Sequence, residues 1–177
     1  MRERIAIYLT NLSRYVAGTL CCELVKLPVS ADELDAALRR IGIDEFNEEY
    51  FISDFESDLS NLHIPEYASI SDLNELAEKL DGLADYDYDK LSAVLEMESC
   101  TTIAEVLDLI DELDNYELLV DIDNHEDLAE YYLDNGYIFH DVPEILKYYL
   151  DFQRLGRDIY LEGNVYYSAH GAVISYR

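Results

Sequence analysis

The stretch IDELDNYELLVDIDNHEDLAEYYLDN, residues 110–135, combines a dense negative charge with the apolar spacing of a folded segment. It contains ten Asp or Glu and no Lys or Arg. Disordered acidic segments have few aromatic residues, whereas leucines and tyrosines recur here at regular spacing. The pattern predicts a short strand at YELLV (116–120), then a helix that begins at Asn124 and stops at Asn135–Gly136. A folded segment that tolerates so much repulsion between its carboxylates calls for a functional reason.

The negative charge is confined to the middle of the chain. The formal net charge of the 177 residues is −27. Residues 41–146 contain 31 of the 39 acidic residues and only two lysines, whereas residues 1–40 and 147–177 each carry a net charge of +1. Half of the residues are hydrophobic, which is enough to bury a core. Solubility needs only a few units of charge, and adaptation to high salt would acidify the whole surface, so the segregation indicates a basic partner.

Hydrophobic periodicity predicts an α+β fold with β-rich ends and an acidic helical middle. The predicted strands are residues 4–12, 19–27, 50–57, 116–120, 157–163 (RDIYLEG), 165–169 (VYYSA) and 172–176 (AVISY). The predicted helices begin at Ser30, Ser71, Asp89, Thr102, Asn124 and Asp141, and two of them, at Ser30 and Thr102, carry the Ser/Thr-x-x-Glu pattern of a capping box. The last helix is expected to point Ile145, Leu146, Tyr149 and Leu150 inward.

The sequence lacks the common catalytic and phosphate-binding motifs. There is no phosphate loop, no G-x-G-x-x-G, no nucleophile elbow and no H-E-x-x-H. The four histidines are scattered, so we expect no metal site and no cofactor. Paired carboxylates do not indicate a glycosidase here, because among so many acids some pair is always close. Few basic residues argue against nucleic-acid binding. We therefore expect a binding protein and not an enzyme.

Weak calcium binding is one alternative. Asp85, Asp87 and Asp89 occupy positions 1, 3 and 5 of an EF-hand loop, and Glu96 falls at its last position. However, Lys90 stands where the loop requires glycine, and its charge repels the cation. The pattern allows adventitious calcium binding but does not predict a dedicated calcium sensor.

The chain is expected to be cytoplasmic. No run of about 18 apolar residues is present, so no membrane span is predicted. The N-terminus lacks the cleavage site of a signal peptide. The three cysteines, two of them adjacent at Cys21 and Cys22, do not form a disulfide framework and fit a reducing compartment.

Both ends of the chain resemble ArdA-type antirestriction proteins. The N-terminal pattern is IYLTNLSRYVAGTLCCELVKLP (7–28), followed by the acidic strand YFISDFES (50–57). The C-terminal pattern is VPEILKYYLDFQRLGRDIYLEGNVYYSAHGAVISYR (142–177), with Tyr149 and Asp151 before a Gly-Arg-Asp turn. The order of elements and the total length fit this family from end to end.

The resemblance implies an elongated protein of three small domains, residues 1–60, 61–100 and 101–177, that forms a homodimer through its C-terminal domain. It also implies an origin in a mobile element, such as a conjugative transposon or plasmid. The acidic surface of such a protein mimics bent double-stranded DNA and occupies the DNA-binding groove of type I restriction–modification enzymes. Tyr149 and Leu150 are candidates for the dimer contact, with ordinary core packing as the alternative.

Carboxylates of the acidic middle are the candidates for phosphate mimicry. Carboxylates one helical turn apart lie about 5.4 Å from each other along the axis. At the charge density of DNA, a net charge of −29 corresponds to roughly 50 Å of duplex. The candidate carboxylates are Asp44, Glu45, Glu48, Glu49, Asp72, Glu75, Asp85, Asp87, Asp89, Glu105, Asp108, Asp111, Glu112, Asp114, Glu117, Asp121, Asp123, Glu126, Asp127 and Glu130. An acidic module for a basic protein that does not bind DNA, such as a histone-like partner, is the other class of function left open.

Overall fold

The structure, a computed structural model, describes residues 4–139 and 142–176. Within these ranges the chain is mixed α+β, with eight helices and two antiparallel sheets of three strands. The strands are β1 (Ile5–Asn11), β2 (Cys22–Lys26), β3 (Tyr50–Ser57), β4 (Tyr116–Leu119), β5 (Val165–Ser168) and β6 (Gly171–Ser175). The helices are α1 (Leu12–Val16), α2 (Ala31–Arg40), α3 (Ile70–Gly82), α4 (Asp85–Met97), α5 (Ile103–Asp111), α6 (His125–Asp134), α7 (Glu144–Lys147) and α8 (Phe152–Leu161).

The chain divides into two compact units. Unit 1 comprises Met1–Tyr88 and Ser99–Asp111, and unit 2 comprises Asp89–Glu98 and Glu112–Arg177. The two units alternate along the chain, because residues 89–98 belong with the C-terminal part of the chain. The division into three domains at residues 60 and 100 stays a prediction.

The sheet of unit 1 has the strand order β2-β1-β3, and it confirms the first three predicted strands. The central strand β1 pairs with both neighbours, so that Ile7 lies opposite Val25 on one side and Phe55 on the other. Three of its apolar residues, Ile5, Ile7 and Leu9, are completely buried. The connection from β1 to β2 contains the short helix α1, which the sequence pattern did not predict.

Capping serines begin two helices of unit 1. Ser30 begins α2 with the predicted capping box, because its hydroxyl accepts from the backbone N–H of Glu33 (3.3 Å) and the Glu33 carboxylate accepts from the backbone N–H of Ser30 (3.2 Å). The cap of helix α3 lies two residues before the predicted Ser71. Ser69 caps it by accepting from the backbone N–H of Asp72 at 3.3 Å. Ser69 and Ser71 both precede the apolar run of α3. Ser69 is the cap because an acid, Asp72, follows it three residues later.

The predicted start of the next helix at Asp89 is wrong, because α4 already begins at Asp85. Carboxylates in a first turn interact favourably with the positive end of the helix dipole, and Asp85 and Asp87 occupy that turn. The loop conformation that the calcium alternative requires at residues 85–90 is therefore contradicted. Among the described residues, no group of His, Cys, Asp or Glu is arranged to hold a metal ion.

The sheet of unit 2 has the order β4-β6-β5 and packs against α6 and α8. It confirms the strands predicted at YELLV, VYYSA and AVISY. Its central strand β6 aligns Ile174 with Glu117 on one side and Val165 on the other. The buried core of the unit is Leu119, Ile122, Leu128, Ala129, Ile159, Val165, Ala172 and Ile174.

The strand predicted at RDIYLEG (157–163) is wrong, since residues 152–161 form helix α8. Asp151 caps this helix by accepting from the backbone N–H of Arg154 at 3.0 Å. Its partly buried or buried apolar residues, Phe152, Leu155 and Ile159, recur at helical spacing once the segment is examined from its cap onward. The Gly-Arg-Asp turn expected at Gly156 is also wrong, because Gly156 lies inside this helix.

The helix predicted to begin at Asp141 is mostly wrong in its described part, and Asp141 itself lies outside the described residues. Helix α7 is a single turn after Pro143. Ile145, Leu146 and Tyr149 are 68%, 51% and 82% exposed instead of inward-facing. One turn followed at once by the cap of α8 cannot present a continuous apolar stripe to a core.

Candidate functional site

Most of the candidate carboxylates lie on the surface. Seventeen of the twenty are exposed, and the three exceptions, Asp72, Asp87 and Glu117, are half-buried. In unit 1 they are Asp44, Glu45, Glu48, Glu49, Asp72, Glu75, Asp85, Asp87, Glu105, Asp108 and Asp111. In unit 2 they are Asp89, Glu112, Asp114, Glu117, Asp121, Asp123, Glu126, Asp127 and Glu130. Each unit therefore has an acidic surface of its own.

Helix α5 carries a ladder of carboxylates on its exposed side. Its buried residues are Ile103, Val106 and Leu109, which fix the orientation of the helix on unit 1. Glu105, Asp108 and Asp111 are exposed at intervals of three residues. Side chains three or four residues apart on a helix lie about 5–6 Å from each other. The core packing of the helix thus holds a row of closely spaced negative charges toward solvent.

Helix α6 repeats this arrangement in unit 2. Leu128, Ala129 and Leu133 are buried, whereas Glu126 and Glu130, one turn apart, are exposed. Asn124 caps the helix by accepting from the backbone N–H of Asp127 at 3.0 Å. The predicted cap at Asn124 and the predicted stop at Asn135–Gly136 are both confirmed.

A third group of carboxylates lies on a tight loop of unit 1. We call residues 43–49 the acidic loop; Asp44, Glu45, Glu48 and Glu49 are exposed on it. One oxygen of Asp44 accepts from the backbone N–H groups of Phe46 and Asn47, both at 2.9 Å. These bonds, with that from Phe46 as the largest contribution, lower the pKa of Asp44. The carboxylate therefore stays ionised while it fixes the loop.

Some candidate carboxylates also have structural partners. Glu105 completes a capping box on α5, accepting from the backbone N–H groups of Thr101 (2.7 Å) and Thr102 (3.1 Å). These bonds lower its pKa. Asp72 belongs to the cap of α3, where it accepts from the Ser69 hydroxyl at 3.1 Å. For such residues, a loss of activity on substitution would not by itself identify a contact with a partner.

Glu117 is half-buried and also has structural partners. One of its oxygens accepts from the Tyr131 hydroxyl at 3.0 Å, and the other accepts from the Tyr176 hydroxyl. Burial and the hydrogen bond to Glu117 raise the pKa of both tyrosines, with burial contributing most. The negative charge of Glu117 is held by two phenols that remain protonated, which sequence spacing alone could not indicate.

Lysines of the acidic middle are engaged within the chain. Lys79 of α3 donates to Asp111 of α5 and lies 4.0 Å from Glu75. Lys90 is only 7% exposed. Lys147, just beyond this region, donates to Asp134 at 2.9 Å, and this bond raises its pKa. These lysines offset few of the carboxylates, so the acidic surfaces keep a strong negative potential.

Sequence reasoning missed an exposed aromatic residue. Phe46, at the tip of the acidic loop, is 91% exposed. The signal was a large apolar side chain among the acids of IDEFNEEY (43–50), between the predicted helix from Ser30 and the predicted strand 50–57. Separately, no helix of the described part of the chain is long and apolar enough to cross a membrane.

Comparisons with known proteins agree with the resemblance at the two ends of the chain. A search of curated proteins found no match. The model of the family described as antirestriction protein (ArdA) matches residues 7–174. The match includes both β-rich ends and all of the acidic middle, and so nearly the whole chain. The chain therefore belongs to the ArdA family of antirestriction proteins.

Proposed function

We propose that this antirestriction protein inhibits type I restriction–modification enzymes by imitating double-stranded DNA. Its carboxylates occupy the DNA-binding groove of the enzyme and take the place of phosphates on the groove's Lys and Arg side chains. Inhibition is competitive and involves no chemical step. The protein acts in the cytoplasm and protects the DNA of a mobile element.

The observation that carries this proposal is the ladder of exposed carboxylates on helices whose opposite sides are buried. Glu105, Asp108 and Asp111 form it on α5, and Glu126 and Glu130 form it on α6. A solvated acidic surface needs no regular spacing, whereas a phosphate mimic needs charges held at short, fixed intervals. Packing of Val106 and Leu128 into the two cores supplies that rigidity.

The physical basis of inhibition is the electrostatic part of DNA binding. A cationic groove that accepts a polyanion releases counterions, so affinity falls as the salt concentration rises. Opposite charges also steer the two proteins together. Because phosphate contacts carry no sequence information, one mimic can inhibit enzymes with different recognition sequences.

We also propose that the inhibitor is a homodimer and that the segment around α7 forms the contact. Ile145, Tyr148 and Tyr149 are more than two-thirds exposed on this segment, and Leu150 beside them is half-buried. Residues 147–177 are nearly neutral in total, so two chains can approach there with little repulsion. The exposed apolar side chains support an association surface at this position.

A competition experiment tests the proposed function. A type I methyltransferase is first bound to labelled duplex DNA, and release of the DNA is followed as the inhibitor is added at two salt concentrations. We expect nearly stoichiometric displacement that weakens at the higher salt concentration. No displacement from several such enzymes by the folded protein would contradict the proposal and leave the class of acidic modules for other basic proteins.

Matched charge variants locate the mimic surface. The variant D108N/E126Q/E130Q neutralises three exposed carboxylates of the ladders, and D32N/D35N/D158N neutralises three exposed carboxylates outside residues 41–146. The first should weaken displacement and reduce its salt dependence, and the second should have little effect. D108N alone should be nearly silent, because one exposed ion pair contributes at most about 1 kcal/mol. Equal effects of the two triple variants would mean that net charge, not position, matters.

A further inference from the structure

Phe46 is the most exposed large hydrophobic side chain among the described residues, with 91% of its surface accessible. Single exposed apolar residues are common on protein surfaces. What distinguishes Phe46 is its loop, because Glu45, Glu48 and Glu49 of the same seven residues are exposed as well. A phenyl ring thus projects from a negatively charged surface.

The acidic loop that presents Phe46 is internally fixed. Asp44 accepts from the backbone N–H groups of Phe46 and Asn47 and from the side-chain amide of Asn47 at 3.1 Å. The backbones of Asp44 and Asn47 also bond to each other in both directions, at 3.2 and 3.1 Å. Together these bonds restrain the backbone on both sides of Phe46, and one of them holds the N–H of Phe46 itself.

The ends of the loop are tied to the core of unit 1. Asn11, which is completely buried at the end of β1, donates its side-chain amide to the carbonyl oxygens of Ile41 (3.3 Å) and Gly42 (3.1 Å). At the other end, the backbone N–H of Leu12 donates to the carbonyl oxygen of Glu49 at 3.1 Å. The loop is therefore anchored at both ends to the connection that follows the central strand.

A fixed, exposed aromatic side chain is well suited to binding a partner. Little conformational entropy is lost when a rigid loop binds, so more of the contact energy appears as affinity. Aromatic residues that enter a pocket are frequent hot spots of interfaces. A phenyl face also attracts a guanidinium group, and the neighbouring carboxylates attract further cations. The chemistry of the loop fits a cleft that is rich in arginine.

We propose that Phe46 is an aromatic anchor for the DNA-binding cleft of the restriction–modification enzyme. Its ring stacks on the guanidinium plane of an arginine that DNA would otherwise occupy. The carboxylates of Glu45, Glu48 and Glu49 pair with the basic side chains around that arginine. This inference rests on the proposed function and adds to it a contact that does not depend on charge alone.

The test compares F46A and F46W with the wild-type protein in the same displacement assay. F46A should weaken displacement about tenfold or more, the size typical of a hot spot. The affinity of F46A should fall with rising salt concentration at the same slope as that of the wild-type protein, because no charge is removed. F46W should keep most of the affinity, since tryptophan also stacks on guanidinium. The variant E45Q/E48Q/E49Q should instead reduce the salt slope.

Controls separate the anchor from general effects. Tyr67 is 69% exposed in the same unit and lies outside the acidic loop; Y67A should displace DNA like the wild type. F46A should also keep the wild-type melting temperature and sedimentation behaviour. An unchanged affinity of F46A, an equal loss in Y67A, or a loss of self-association in F46A would each overturn the anchor while leaving the proposed function intact. If the wild-type protein displaces no DNA, the proposed function fails and the anchor fails with it.

Discussion

Gly156 of α8 lies directly against the backbone of His125, the first residue of α6. A β-carbon on Gly156 would stand 1.7 Å from the carbonyl oxygen of His125. Within unit 2, the two helices thus approach each other at a point where only glycine fits, and the buried Leu128 and Ile159 share the core beside them.

The close approach predicts that G156A destabilises unit 2, because backbone cannot move aside as a flexible side chain can. We expect a loss of roughly 3 kcal/mol, the upper part of the range for overpacked cores. The measurement is chemical denaturation followed by circular dichroism. G82A is the matched control, since nothing lies within 4 Å of a β-carbon at the end of α3. An equally stable G156A would contradict the close packing of α8 on α6.

This contact also explains why the strand predicted at residues 157–163 is wrong. Gly156 within FQRLGRDIYL favours a turn followed by a strand, because glycine inside a helix is unfavourable when only local propensity counts. Here the tertiary contact with His125 requires glycine, and the cap at Asp151 begins the helix regardless. Strands with clear alternation and capped helices, such as β1 and α2, were predictable because their signals are local.

We predict that Glu105 stabilises α5, whether or not it also contacts a partner. E105A removes the acceptor for the backbone N–H groups of Thr101 and Thr102 and should lower the melting temperature at pH 7. The hydrogen bonds from Thr101 and Thr102 lower the folded pKa of Glu105. The stability that they contribute is therefore present above the unfolded pKa and is lost as the pH falls through the folded pKa. Thermal unfolding between pH 7 and pH 3 measures this, with D108N as the control on the same helix. The cap predicts that the melting temperature of E105A falls less on acidification than that of D108N. A larger fall in E105A would contradict the cap.

Tyr131 and Tyr176 are predicted to make unit 2 sensitive to alkali. Their pKa values are raised above the ordinary value, because burial and the carboxylate of Glu117 disfavour the phenolate. A raised folded pKa gives stability that is complete below the unfolded pKa, about 10, and that is lost as pH rises further. Melting temperatures from pH 8 to pH 11 should therefore fall.

The double variant Y131F/Y176F should show a shallower alkaline decline than the wild-type protein, and ultraviolet titration of tyrosine should lose its latest-titrating groups. Y67F is the control, because Tyr67 is 69% exposed and lies in unit 1. An unchanged decline in the double variant would show that other groups govern the alkaline response.

The candidate site was predictable in composition but not in detail. Counting charges located the acidic middle, and the candidate carboxylates chosen from it on α5 and α6 are exposed. The sequence could not reveal that Glu117 is enclosed by two tyrosines, because Tyr176 lies 59 residues away. Nor could it show that Phe46 is held outward, since that depends on the buried amide of Asn11.

The exposed α7 segment predicts a separation between association and stability. Tyr149 is 82% exposed, so Y149A should weaken the proposed homodimer without lowering the stability of the fold. Leu150 is half-buried, so L150A should cost some stability whether or not a dimer forms. Sedimentation equilibrium measures the association, and denaturation at low protein concentration measures the fold. V16A is a control, because Val16 is 79% exposed far from this segment in the chain. If Y149A and V16A associate as the wild-type protein does, the dimer contact lies elsewhere. If only Y149A becomes monomeric, the contact includes Tyr149. The inhibition of the restriction enzyme by monomeric Y149A then shows whether one protomer is sufficient.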